Sequence, residues 1–139
     1  MLLMLRSRVV SNWLIRRVSD LVLVNRFHFD ALAHDNSATS QVVRSVVETT
    51  TQQGNTPPPV LLQGTQTVPK FNSAEPDEVQ ILLALYRVEN KNVDFVMSMN
   101  VPTKSTDGGV VNSAAFIEAQ RVFEAAASSL KIVDFGLFA

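Results

Sequence analysis

The sequence lacks cysteine, and its glycines are too few and too scattered to form a phosphate-binding loop. Without cysteine the chain has no disulfide, no thiolate metal site and no cysteine nucleophile. Only two of its five glycines, Gly108 and Gly109, are adjacent, and neither the Walker nor the Rossmann glycine pattern occurs. Thiol catalysis and nucleotide binding on a glycine-rich loop are therefore excluded.

Long apolar runs are missing as well, because every uninterrupted run is too short to span a bilayer. Hydrophobic residues make up 46% of the chain and charged residues 18%, a mixture typical of a globular domain and not of a disordered chain. A chain of this size forms one domain and buries roughly 68–70% of its unfolded surface. We expect a single monomeric domain over residues 1–139, with no cofactor and no membrane partner.

Charge is unevenly distributed along the chain. Five of the 12 basic residues and one of the 13 acidic residues lie within residues 1–26, which leaves seven bases against twelve acids in the remainder. Nucleic-acid binders usually carry a basic stripe across the folded body, so the acidic body argues against that class and favours a basic protein partner. The Arg-rich start MLLMLRSRVVSNWLIRRV resembles a mitochondrial targeting segment, with an ordinary amphipathic helix as the alternative.

The first half of the sequence predicts a helix followed by strands. Ser11 can cap a helix whose apolar residues recur at helical spacing. Phe27 and Phe29 alternate with polar residues over 26–33, which predicts a half-buried strand. β-branched residues favour a strand over 41–52, and the three prolines at 57–59 mark a loop. The stretch 60–72 predicts an edge strand, because Pro69 cannot donate a ladder hydrogen bond.

The second half predicts a hairpin, a helix and a closing strand. Two apolar runs flank the turn letters NKN and predict an antiparallel hairpin over 79–101, whose first strand is apolar on both faces like a central strand. Ser113 can cap a helix over 114–130 that buries Phe123. A strand over 130–139 around Ile132 would close the chain. This order predicts an α+β fold in which helices pack on a mostly antiparallel sheet.

The last ten residues, LKIVDFGLFA, contain the letters DFG that mark a magnesium-binding Asp in protein kinases. The other parts of a kinase are missing, since there is no glycine-rich loop, no V-A-I-K lysine and no H-R-D loop upstream. Asp134 is therefore interpreted as a solvent-facing residue of the last strand.

Two further kinds of catalytic site are a metal site that uses the histidines and a serine hydrolase. His28 and His34 could gather a metal together with neighbouring aspartates. The alternation around His28 instead predicts a side chain that faces solvent or packs locally. No nucleophile elbow G-x-S-x-G occurs, which argues against a serine hydrolase.

Four stretches occur in an order that matches a known family: RFHFDALAHDNSA, LQGTQTVPKFN, DFVMSMNVP and FEAAASSLKIVDFGLF. They resemble the Ran guanine-nucleotide release factor family, also called the Mog family. Its members carry an aromatic R-[FY]-H-F-[DE] stretch, a hairpin strand ending near T-x-N-x-P, and a terminal S-L-x-I-x-D followed by L-F or I-F. The resemblance covers about residues 13–138 and implies an antiparallel sheet sandwiched between helices, an α/β/α sandwich similar to the photosystem PsbP fold.

The resemblance implies a binding protein and not an enzyme. Its partner would be the small GTPase Ran, from which it would promote nucleotide release during nucleocytoplasmic transport, in the nucleus and cytoplasm. Residues 1–12 are atypical, because the family's L-F-G-G-A-like strand and its acidic P-D-x-Q-E-V-F segment are absent. One alternative is therefore a truncated structural or adaptor module of the same fold that does not bind Ran. Another is a small hydrolase or metal-dependent enzyme that uses the histidines.

Five acids form the candidate partner-binding site. Asp30 matches the acidic position that follows the family's aromatic stretch, so its role is implied by the resemblance. The other four follow from charge and turn placement alone: Asp35, Glu75, Asp77 and Glu78. The carboxylates of Glu75, Asp77 and Glu78, which lie in a polar turn, are expected to be solvated with ordinary pKa values, which suits an interaction surface better than acid–base catalysis. The alternative interpretation is a set of solvated turns that aid solubility.

Overall fold

The computed structural model describes residues 2–7, 18–48, 54–71 and 73–138. Within these ranges the chain forms five strands and two α-helices. In chain order they are β1 (Leu2–Ser7), α1 (Val18–Asp35), β2 (Thr39–Val47), β3 (Val60–Val68), β4 (Asp77–Val88), β5 (Val93–Lys104) and α2 (Ser113–Ser129). Short 3-10 helices lie at Glu89–Lys91 and Phe135–Phe138.

The strands form one antiparallel sheet in the order β1-β5-β4-β3-β2. Strand β4 lies at its centre, and every residue from Ile81 to Val88 is buried. Apart from Arg87 this run is apolar, and it is buried on both faces because α1 covers one face of the sheet and α2 the other. The predicted hairpin is confirmed as β4 and β5, joined at Asn92, whose φ of 55° places it in the left-handed region that Asn tolerates.

Each face of the sheet has its own hydrophobic core. On the α1 face, Phe29 packs with Leu62 of β3 and Leu83 of β4. On the α2 face, Phe123 packs with residues of opposite parity, such as Leu82 and Tyr86. Alternate side chains of a strand point to opposite faces, so a central strand supplies both cores. The predicted α+β fold, with an antiparallel sheet sandwiched between helices, is confirmed.

Glycine at position 64 permits the close approach of α1 to β3. A Cβ atom built there would overlap the ring of Phe29 and would lie 2.9 Å from the backbone oxygen of Gln41. The aromatic ring therefore occupies the space that any larger residue would need. Strand β3 and Phe29 fit together only because residue 64 has no side chain.

The strand predicted over 26–33 is wrong, because α1 continues through this stretch to Asp35. The residues that it buries recur at helical spacing: Asn25, His28, Phe29 and Ala33. Of the two alternatives predicted for His28, exposure to solvent is wrong and packing within the protein is right, since the residue is only 4% exposed. The helix start predicted at Ser11 lies outside the described residues.

Three predicted details of the remaining chain are also wrong. Strand β3 lies inside the sheet, between β2 and β4, and not at its edge. It ends at Val68, so Pro69 lies beyond the strand and need not donate a ladder hydrogen bond. The helix cap is Asn112, whose Oδ1 accepts a hydrogen bond from the Ala115 amide at 2.8 Å, and not Ser113. Residues 130–138 form irregular chain and a 3-10 helix instead of a strand.

Local hydrogen bonds explain the conformation of this last stretch. The Ile132 amide donates to Thr56 Oγ1 at 2.8 Å, which fastens the chain beside the proline loop. Asp134 Oδ1 accepts from the Gly136 amide at 2.7 Å and so turns the chain into the 3-10 helix. Asp134 is exposed, as expected, but it does not lie in a strand.

Candidate partner-binding surface

The five candidate acids lie at one end of the sheet. Cross-strand pairing aligns Thr39 of β2 with Thr67 of β3, which in turn pairs with Glu78 of β4. Helix α1 ends at Asp35, four residues before β2 begins at this same end. We call this region the acidic end, defined by Asp30, Asp35, Glu75, Asp77 and Glu78.

Two of these acids are held by lysines from neighbouring elements. Lys70 Nζ lies 3.1 Å from the Asp77 carboxylate and 2.5 Å from that of Asp107. Lys104 Nζ lies 2.9 Å from the carboxylate of Glu75. These contacts tie the turn between β3 and β4 to the end of β5 and the loop that follows it.

The lysine contacts change the protonation of the acids. The hydrogen bond from Lys104 lowers the pKa of Glu75 below its ordinary value. Burial opposes ionisation of Asp77, but hydrogen bonds from Ser105 and Lys70 outweigh it and lower its pKa. The expectation that these two carboxylates are simply solvated with ordinary pKa values is therefore wrong. Both are ionised and already engaged within the molecule.

The other three acids make contacts of a different kind. Asp30 accepts a hydrogen bond from Ser40 Oγ at 3.0 Å, and its carboxylate lies 3.6 Å from Arg26 on the exposed side of α1. Asp35 lies 3.8 Å from the ring of His34. The backbone oxygen of Glu78 accepts from Thr103 Oγ1 at 3.3 Å, and Lys104 is the cross-strand neighbour of Glu78.

A buried polar network lies toward the other end of β4 and escaped the sequence interpretation. His28 Nε2 donates to the Asp94 carboxylate at 3.0 Å, and Arg87 Nη1 donates to the same carboxylate at 2.5 Å. Arg87 Nη2 also donates to Asn92 Oδ1 at 2.7 Å. A signal was present in the sequence, because Arg87 and Asp94 flank the hairpin turn symmetrically and opposite charges pair across strands.

This network fixes α1 to the hairpin and offers no open reaction site. The side chains of His28, Asp94 and Arg87 are 4%, 1% and 6% exposed. A buried ring of this kind cannot reach a substrate in solvent. A cavity of about 650 Å³ borders Arg87 and Glu89 beside the proline loop, but its other lining is largely apolar.

The histidines and aspartates considered for metal binding do not lie together in the structure. His28 is buried against Asp94, whereas His34 is 92% exposed at the end of α1. Among the described residues, no three His, Cys, Asp or Glu side chains stand close enough to hold a metal ion. Neither α-helix, over its described length, is long and apolar enough to cross a membrane.

The fold and its charged end define an α+β sandwich domain with a cluster of acidic residues at one end of the sheet. The model of the family Mog1, described as Ran-interacting Mog1 protein, matches residues 14–102. Because the match covers more than half of the chain, the protein belongs to this Ran-interacting family. No curated protein and no solved structure matches the chain significantly. All five acids of the acidic end lie within the matched residues.

Proposed function

We propose that this protein binds Ran and promotes release of its guanine nucleotide, acting in nucleocytoplasmic protein transport in the nucleus and cytoplasm. The observation that carries the proposal is the match of residues 14–102 to the Ran-interacting family. The fold supports it, because the acidic end is at least partly exposed and preformed at one end of the sheet. A preformed surface loses little conformational freedom when a partner binds.

Nucleotide release of this kind needs no catalytic side chain. If the protein binds nucleotide-free Ran more tightly than loaded Ran, thermodynamic linkage weakens the affinity of Ran for nucleotide by the same factor. The effect is a shift between two states of Ran, and its size equals the difference in affinity for them. The absence of a gathered catalytic site among the described residues is compatible with this mechanism.

The acidic end would contribute mainly to the rate of encounter. Complementary charge speeds association, and salt weakens that effect because exposed charges are screened beyond about 10 Å at 0.1 M. Glu78 and Asp35 serve as the probes, because Glu75 and Asp77 already form ion pairs with Lys104 and Lys70, so replacing either of those two would also remove an internal contact.

The experiment measures release of a fluorescent guanine nucleotide from purified Ran after addition of the protein. We expect release to accelerate with protein concentration and to slow when Glu78→Gln and Asp35→Asn are combined. Glu118→Gln is the matched control, since this exposed acid lies on α2 and pairs locally with Arg121 at 2.6 Å. A release rate unchanged at saturating wild-type protein would overturn the proposed activity.

The internal pairing of the acids favours one alternative, an adaptor of the same fold that does not bind Ran. Glu75 and Asp77 already satisfy Lys104 and Lys70, so a partner would gain less by contacting them. A pull-down with immobilised nucleotide-free Ran separates the two functions. Retention of the wild-type chain supports Ran binding, and its complete absence from the bound fraction supports the adaptor.

A further inference from the structure

Phe71 is an exposed aromatic residue that lies close in sequence to three acids of the acidic end. It lies in the turn between β3 and β4, and its relative exposure is 108%, so the whole ring is in solvent. Isolated apolar residues on a surface are ordinary. This one is unusual because of the turn that presents it.

The turn that carries Phe71 is fastened at its base. Lys70 precedes it and contacts Ser105 at 3.2 Å as well as the carboxylates of Asp77 and Asp107. The Lys70 side chain is only 22% exposed as a result. Pro69 restricts the backbone one residue earlier. The ring is therefore presented from a base with little freedom left to lose, which reduces the entropic cost of binding through it.

The charges around the ring are mostly negative. The turn and its neighbours hold four acids against two lysines: Glu75, Asp77, Glu78 and Asp107 with Lys70 and Lys104. Aromatic residues are enriched at the centres of interfaces, and polar or charged rims surround them. An exposed ring on a turn whose charged residues are mostly acidic fits a protein surface with an apolar pocket bordered by lysine or arginine.

We infer that Phe71 is the apolar anchor through which the acidic end binds Ran, entering an apolar pocket of basic surroundings on that GTPase. This inference rests on the proposed function and names the surface that performs it. The ring supplies contact area that resists dissociation, and the acids around it accelerate association. The two contributions are separable by kinetics.

The test measures association and dissociation rates with immobilised nucleotide-free Ran at low and high salt. We expect Phe71→Ala to weaken binding by about tenfold or more, through faster dissociation, at both salt concentrations. We expect Glu78→Gln to slow association at low salt and to have little effect at high salt. Phe71→Trp should retain binding, since it preserves a large ring.

Leu137→Ala is the matched control, because Leu137 is an exposed apolar residue at 77% and lies in the closing 3-10 helix, beyond the matched residues 14–102. It should bind Ran as the wild type does. The Phe71 variants should unfold at the wild-type temperature, since a fully exposed ring makes no core contact. If wild-type protein binds Ran and Phe71→Ala binds equally well, the anchor is refuted and the proposed function stands. If wild-type protein does not bind Ran, both proposals fall.

Discussion

Replacing Asp94 with Asn should destabilise the protein far more than the same change at an exposed ion pair. Asp94 is 1% exposed and accepts hydrogen bonds from His28 and Arg87. The substitution keeps the shape of the side chain but removes its charge. Arg87 then remains buried with an uncompensated positive charge. One of the two donors, His28 or Arg87, must also face the NH2 group of the new amide, which cannot accept its hydrogen bond.

The expected loss is about 3–5 kcal/mol of unfolding free energy, the usual cost of breaking a buried ion pair by removing one partner. A second substitution tests this origin. If Arg87→Met is combined with Asp94→Asn, both charges disappear together. The double variant should then be more stable than the sum of the two single losses predicts, because neither charge is left alone.

Acid titration gives an independent readout of the same carboxylate. Burial disfavours the ionised form of Asp94, but hydrogen bonds from His28 and Arg87, with the charge of Arg87, outweigh it and hold the pKa below its ordinary value. The stability from this shift is therefore present above about pH 4, the ordinary pKa of Asp, and is lost as pH falls through the lower folded pKa. Asp94→Asn protein should lose less stability than wild type across this acidic window.

The assay is urea denaturation followed by circular dichroism, with Asp107→Asn as the matched control. Asp107 also contacts a cation at 2.5 Å, but its side chain is 80% exposed, and exposed ion pairs contribute little net stability. Equal losses for the two variants would refute the argument, since burial would then make no difference. An Asp94→Asn protein of wild-type stability would refute it as well.

Three further changes test the packing, each by the same denaturation assay. Phe123→Ala should lose about 3–5 kcal/mol, because it empties the α2 core; a loss near zero would place the ring outside that core. Gly64→Ala should lose about 1–3 kcal/mol, because the new methyl group meets the Phe29 ring, and a neutral result would show that the ring moves freely. Asn112→Ala should lose about 1 kcal/mol, because the Ala115 amide loses its cap; an unchanged midpoint would contradict this role.

The central part of the fold was predictable from the sequence because its patterns are local. Apart from Arg87, the run Ile81–Val88 is apolar on both faces, and apolar side chains recur at every second residue of β5. Both strands and their turn therefore follow from periodicity. Helix α2 likewise shows helical spacing around Phe123. These elements bury apolar residues in regular positions, which is the signal that sequence patterns report.

Helix α1 was mispredicted because its buried face contains polar residues. Asn25 is buried only because its Nδ2 donates to the Val60 backbone oxygen at 2.8 Å. His28 is buried only because Asp94, 66 residues away, accepts its hydrogen. Such partners cannot be read from a local window, so the short alternation of Phe27 and Phe29 dominated the pattern.

The acidic composition of the candidate site was predictable from the sequence, but the ion pairs that its carboxylates form were not. Acidic residues at and before the start of β4 mark a charged end of the sheet, where Glu75 is exposed and Asp77 is partly buried. Glu75 pairs with Lys104, which the antiparallel pairing of β4 with β5 brings alongside, and Asp77 pairs with Lys70 from the connection between β3 and β4. Register over this distance is a tertiary property, so the sequence alone could not show that these acids are already engaged.

The two ends of β4 allow stability and binding to be tested separately. Asp77 begins the strand at the acidic end, and Arg87 lies near its other end in the buried network. Ten residue steps of about 3.3 Å each separate them by roughly 33 Å, well beyond the distance at which substitutions usually couple. Asp94→Asn should therefore lower the folded fraction without changing the affinity of the folded molecules for Ran. Phe71→Ala should do the reverse, and a variant set in which both properties always change together would show that the strand transmits one effect to the other.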